Sequence, residues 1–203
     1  MKPILPLVAA LFALAPSIAH ADDKADAILK EVRLRMRNVT NYGVTLQFVE
    51  DNKAVGSVRI LLQRPDKYFF GISNAGKPEI VLIANGGSTA ARQGSVTVPM
   101  ANKESKDLIS TFLPIISGDF ARVLKGIQST KYITQMMLDE TTVVDVVEIT
   151  GGTPKETIRV YIDNNSQLRK IVGTSNGKSN VMLFLAPTTD PLITPKTFSV
   201  ISE

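Results

Sequence analysis

The chain has 203 residues, a formal net charge of +4 and neither Cys nor Trp, and its one histidine, His20, lies in an apolar leader. Residues 22–203 therefore hold no His and no Cys, which excludes Ser-His-Asp and Cys-His nucleophilic catalysis and the usual zinc sites. The 23 Lys and Arg are scattered among 19 Asp and Glu with no long basic run, so no nucleic-acid partner is expected.

The leader reads as a signal peptide over residues 1–21. Lys2 supplies the positive start, Ile4 to Ile18 is mostly apolar, and Ala19-His20-Ala21 gives the small-x-small cleavage pattern. Residues 22–203 are expected to form a single domain, periplasmic and soluble after signal cleavage. About 182 residues can bury a core without disulfides, and no later apolar run reaches the roughly 18 residues a membrane helix needs.

Asp26 is expected to cap a helix running to about Val39, because Ile28, Val32, Met36 and Val39 recur at helical spacing. Arg33, Arg35 and Arg37 read as solvated side chains on its outer face. From Tyr42 the period changes to two, through Val44, Leu46 and Phe48, up to a turn at Asp51-Asn52. A second strand carries Val58, Ile60 and Leu62 and stops at Pro65, which cannot donate to a ladder. Tyr68 to Ser73 and Glu79 to Ala84 are the next strands, closed by the hairpin signal Asn85-Gly86.

Between Val98 and Thr130 the period is helical again. Ile109, Phe112, Leu113 and Ile116 form one stripe and Phe120, Val123, Leu124 and Ile127 another; Pro114 and Ser117-Gly118 divide them into two short helices, with Asp119 as the second cap. The last third predicts strands over 133–138, 143–149, 157–162, 168–174 and 181–185, with turns at Gly151-Gly152, Asp163-Asn164-Asn165 and Asn176-Gly177. The fold class is therefore α+β, mainly β: a curved antiparallel sheet or half-open barrel with an N-terminal helix and a short helical lid.

Little here supports enzyme chemistry. Ser175-Asn176-Gly177-Lys178 has S-x-x-K spacing but falls in a turn, Asp145 and Glu148 project to opposite faces of a strand, and Gly86-Gly87 and Gly151-Gly152 lack the context of a phosphate cradle. Met100, Met136, Met137 and Met182 read as core filler, the commoner use of a flexible thioether. No cofactor and no metal are expected.

Several strings resemble the periplasmic lipoprotein carriers of the Lol type: Gly56 to Gln63 running into Arg64-Pro65-Asp66-Lys67-Tyr68, Ile80 to Gly86 ending in Asn-Gly, Ile162-Asp163 to Lys170-Ile171, and the ending Asp190-Pro191-Leu192 to Thr197-Phe198-Ser199-Val200. The helical insertion and the ending look closest to a branch of predicted periplasmic proteins of unassigned function. The resemblance implies a non-enzymatic periplasmic carrier or sensor, or chaperone, that binds acyl chains, lipids or a lipoprotein in an apolar cavity. A membrane-associated donor or acceptor protein would be its partner, and the carrier itself a monomer. It also implies that Arg64 locks the lid by hydrogen-bonding lid backbone. From periodicity, the cavity lining is Leu46, Phe48, Val58, Ile60, Leu62 and Phe70 on the concave sheet face, opposed by Phe112 and Phe120. The alternative is a periplasmic protein-interaction or regulatory module with a filled core.

Overall fold

The computed structural model describes residues 22–74, 76–100, 102–175 and 178–200, so the leader and the Asn176-Gly177 turn lie outside the described residues. A helix, α1 (Asp23–Asn38), precedes six strands: β1 (Asn41–Glu50), β2 (Lys53–Gln63), β3 (Lys67–Asn74), β4 (Ile80–Asn85), β5 (Ser88–Gln93) and β6 (Val96–Pro99). Helices α2 (Asn102–Ile116) and α3 (Phe120–Val123) follow. Then come β7 (Ile127–Met137), β8 (Val143–Gly151), β9 (Glu156–Asp163), β10 (Leu168–Ser175), β11 (Lys178–Thr188) and a 3-10 turn over Pro195–Phe198. Among the described residues no helix is long and apolar enough to cross a membrane.

All eleven strands form one antiparallel sheet, ordered β6-β5-β4-β3-β2-β1-β11-β10-β9-β8-β7. Two meanders, β1 to β6 and β7 to β11, are sewn together where the first strand pairs with the last. The sheet is not closed: β6 and β7 are its two ends, and α2–α3 is the segment that joins them. Turn chemistry sets the register. Asp51 and Asn52 take φ of 49° and 62°, the two positive values of a type I′ hairpin, whose twist matches that of the strands it connects.

Alternation then sorts the side chains. Val44, Leu46, Val58, Ile60, Leu62 and Phe70 point to the face covered by the helices, where they meet Ala25, Leu29, Val32 and Met36 of α1 and Ile116, Phe120 and Leu124 of the α2–α3 segment. On the opposite face Phe69, Val81 and Ile83 are covered by Phe198, with Leu61, Ile193 and Val200 around them.

Five expectations are corrected. The cap of α1 is Asp22, whose Oδ1 accepts from the N–H of Lys24 and Ala25 at 3.0 and 3.2 Å; Asp26 lies in the first turn and accepts instead from the Thr130 hydroxyl at 2.8 Å. Strands β5 and β6 had not been anticipated, because STAARQ and VTVP carry little apolar alternation. Ile127 opens a strand rather than closing a helix. Met136 and Met137, at 45% and 53% exposure on the end strand β7, are not core filler, whereas Met182 packs against the core.

Pro114 is the fifth. It lies inside α2 rather than ending it, since it sits in the last turn, where only the bond back to residue 110 is lost. The helix stops two residues later. Gly118 N–H reaches Ile115 O at 3.2 Å and Asp119 N–H reaches Pro114 O at 2.8 Å, the crossed pair of bonds of a Schellman ending, with Gly118 at φ 70°. Glycine is required there twice over, because a Cβ would also stand 2.8 Å from Val32 Cγ1 on α1. Gly118→Ala should lower stability by about 2 kcal/mol or more through left-handed backbone strain and the displaced Val32. Urea unfolding of the single variant and of Gly118→Ala with Val32→Ala checks this: the double variant should lose less than the sum of the two single losses.

Candidate functional site

The lining residues expected from the sequence do share one sheet face. Leu46 stands opposite Val58 and Ile60 opposite Phe70 in the ladder, and directly opposed antiparallel residues project to the same side. Leu46, Val58, Ile60, Leu62, Phe70 and Phe120 are each at most 4% exposed, in one cluster with α1; Phe48 and Phe112 are half-buried against that cluster. Phe112 of α2 meets Phe70 with ring centroids 6.0 Å apart, and Phe70 in turn stacks on Tyr68 at 6.5 Å. The interior is therefore packed by the protein's own helices, with Phe112 half-buried among them.

Helix α1 is fixed at both ends. At its start Asp22 Oδ2 accepts from Tyr132 N–H of β7 at 2.9 Å, while Lys24 Nζ sits 3.5 Å from the centroid of the Tyr132 ring. The N–H of Tyr132, then that of Ala25, holds the Asp22 carboxyl below its usual 3.8. At the helix end Arg64 donates from Nε to Val39 O at 3.0 Å and from Nη2 to Met36 O at 3.1 Å. A guanidinium supplies donors and positive charge to carbonyls that have neither beyond the last turn. Arg64 thus meets a helix C-terminus, but the helix is α1: among the described residues its hydrogen bonds go to Met36 O in the last turn of α1 and to Val39 O at its cap. Burial raises the Tyr42 phenol well above its ordinary range, with Arg169 and Arg35 opposing the shift, which keeps Tyr42 neutral beneath α1.

A shallow cleft of about 450 Å³ opens where α1 meets the end of α2. Lys30, Arg33, Leu34 and Arg37 line it from α1, Arg64 from the β2–β3 turn, and Ser117 and Asp119 from the α2–α3 junction. Arg37 is exposed and Arg33 half-exposed, as expected of solvated side chains. The spacing 30, 33, 34, 37 is a helical stripe visible in the sequence, whereas what faces it is not. Arg35 departs from the expectation, since its Nε is buried with no hydrogen-bond partner among the described residues.

An open antiparallel sheet holding an N-terminal helix in its hollow, with a helical segment bridging its two free ends, is a fold shared with bacterial lipoproteins of solved structure. In particular, the chain is similar in fold to LprF from Mycobacterium bovis, with a TM-score of 0.61 and 12% identity over 88% of this chain and 99% of LprF. It is also similar to the Mycobacterium tuberculosis lipoprotein LppX, at 0.54 and 11% over 83% and 98%. MucB gives 0.55 at 8% identity, covering 88% of this chain and 63% of MucB. No family model and no curated protein matches the sequence.

Two predictions follow from the anchoring of α1. Because the folded Asp22 carboxyl is more acidic than its unfolded counterpart, its contribution to stability is present above about 3.8 and is lost as pH falls through the lowered folded value. The urea midpoints of wild type and Asp22→Ala should therefore differ at neutral pH and converge in acid. Arg64→Leu should cost about 1–3 kcal/mol and speed amide exchange in the last turn of α1, while Arg64→Lys recovers only part, an ammonium having no fork. Unchanged exchange at 36–39 in both Arg64 variants would remove this role.

Proposed function

We propose that the protein is a non-enzymatic periplasmic carrier or sensor that takes up acyl chains, lipids or a lipidated protein between the sheet and the α2–α3 lid, acting as a monomer with a membrane-associated donor or acceptor. The observation that carries this reading is the placement of α2–α3. This segment joins the two free ends of an open sheet, and ahead of its buried Ile116, Phe120 and Leu124 it rests on the apolar face through Ile109, Phe112 and Leu113, which are only half-buried. For the outer part of α2 alone the magnitudes allow exchange: withdrawing a phenylalanine from its packing costs about 1.5–3 kcal/mol, and each methylene of an acyl chain returns about 0.8 kcal/mol on leaving water, so about four methylenes offset Phe112 while Ile116, Phe120 and Leu124 stay in place. A lid with a proline in its last turn and a glycine ending is also less firmly held than a core helix.

The likeness to MucB favours a second reading, since MucB from Pseudomonas aeruginosa has also been solved in complex with MucA, and that structure matches this chain at a TM-score of 0.51. In that reading the core stays filled and the protein acts as a regulatory interaction module. The two readings separate in one experiment. Protein purified from a membrane extract should retain lipid or lipoprotein detectable by mass spectrometry, and lipid-free protein titrated with palmitate should show altered hydrogen exchange over residues 105–128. Repeated recovery without lipid, together with equal lid protection with and without palmitate, would overturn the carrier reading in favour of the interaction module.

A further inference from the structure

We infer that the cleft between α1 and the α2–α3 junction binds the phosphate of an anionic lipid headgroup, an inference that rests on the carrier reading and adds to it the class of lipid. The first support is charge. Lys30, Arg33, Arg37 and Arg64 face one carboxylate, Asp119, across the cleft, a net of +3. Without Lys2, residues 22–203 carry 22 Lys and Arg against 19 Asp and Glu, also +3. The cleft thus holds as much net charge as the entire chain beyond the leader, and charges elsewhere balance.

The second support is that these cations are not already neutralised. The ion pairs among the described residues are Arg159 with Glu148 and Arg169 with Asp163, and neither touches the cleft. Asp119 is engaged in capping α3, its Oδ1 accepting from Arg122 N–H at 3.4 Å. Arg64 is held in place by its bonds to Met36 and Val39, which answer the negative end of α1 and leave further N–H groups of its fork for a ligand. A positioned guanidinium beside mobile Lys and Arg is a usual arrangement for phosphate recognition.

The third support selects a lipid over a free phosphate. The cleft wall includes Leu34, an apolar side chain left 39% exposed. Behind it, between the lining residues Ser117 and Asp119, Gly118 is packed on Val32, one residue from Arg33 and part of the apolar core. An amphiphile fits both chemistries at once, its phosphate among the cations and the start of its chains against Leu34. Inorganic phosphate would leave Leu34 and the apolar seam without a role.

The test is flotation of the purified protein with phosphatidylcholine vesicles, with and without phosphatidylglycerol. Vesicles containing phosphatidylglycerol should bind, and Arg33→Gln with Arg37→Gln should weaken that binding about 30-fold, the equivalent of about 2 kcal/mol for two cations at an anionic surface. Lys131→Gln with Lys155→Gln, which removes two exposed cations elsewhere, should leave it unchanged. Equal binding to both vesicle types, equal loss in both double variants, or competition by inorganic phosphate at the affinity of the lipid would overturn the inference. A neutral fluorescent monoacylglycerol separates this from the carrier reading. If it binds wild type and the Arg33/Arg37 variant alike while phosphatidylglycerol gives no advantage, the cleft proposal falls and the carrier stands; if it binds neither, the carrier reading falls.

Discussion

One helix tied at both ends determines the rest of this molecule. Asp22 and Asp26 fasten the start of α1 to β7, the last strand of the sheet, and Arg64 fastens its end to the β2–β3 turn, six strand spacings away. Six spacings amount to about 29 Å, and a 16-residue helix to about 24 Å. A single rigid element therefore spans most of an open sheet and holds it in a curve around itself. Hydrogen bonds alone would not do this, because a sheet with two free ends can flatten; the apolar stripe of α1 gives the curve something to wrap.

The same arrangement creates a competition inside the hollow. α1 is fixed by charge and hydrogen bonds at its ends and by buried Leu29 and Val32 along its length, whereas α2 is anchored by buried Ile116 only at its end and rests on the sheet before that through half-buried Ile109, Phe112 and Leu113. Any guest must displace the weaker occupant. The cations of the cleft gather outside, along the seam where the two helices meet, so apolar and ionic chemistry adjoin there. That separation matters physically, since a cation carried among the apolar side chains would incur a desolvation cost unless it were paired.

Much of this was legible where side chains alternate and turn residues punctuate. β1 to β4 and β8 to β11 were readable from runs such as Val44-Leu46-Phe48 and Val58-Ile60-Leu62, and the face they share was readable too. What failed had physical reasons. In β5 only Ala90 is buried, so an end strand made of small and polar residues left no periodic trace. Local rules gave Pro114 too much weight, because a proline near a helix end costs far less than one in its middle. The choice between Asp22 and Asp26 as cap depended on Thr130 and Tyr132, more than 100 residues away. Arg64 was picked out by resemblance, yet its partner could not be read from sequence, since which helix end lies beside it is settled only by the packing of α1.

The chain's last described segment lies on the other side of the sheet. There Phe198 fills a hollow among Phe69, Val81 and Ile83, and Asn85 Nδ2 donates to its carbonyl at 3.1 Å. This strap holds no part of the interior, so a proteolytic clip just before it would spare the helices and the hollow they share. It would instead uncover an aromatic and aliphatic patch next to β5 and β6, the short strands at the sheet's unpaired end. A chain damaged in this way keeps its interior intact but becomes adhesive, and it would be lost from solution by edge-to-edge association rather than by unfolding.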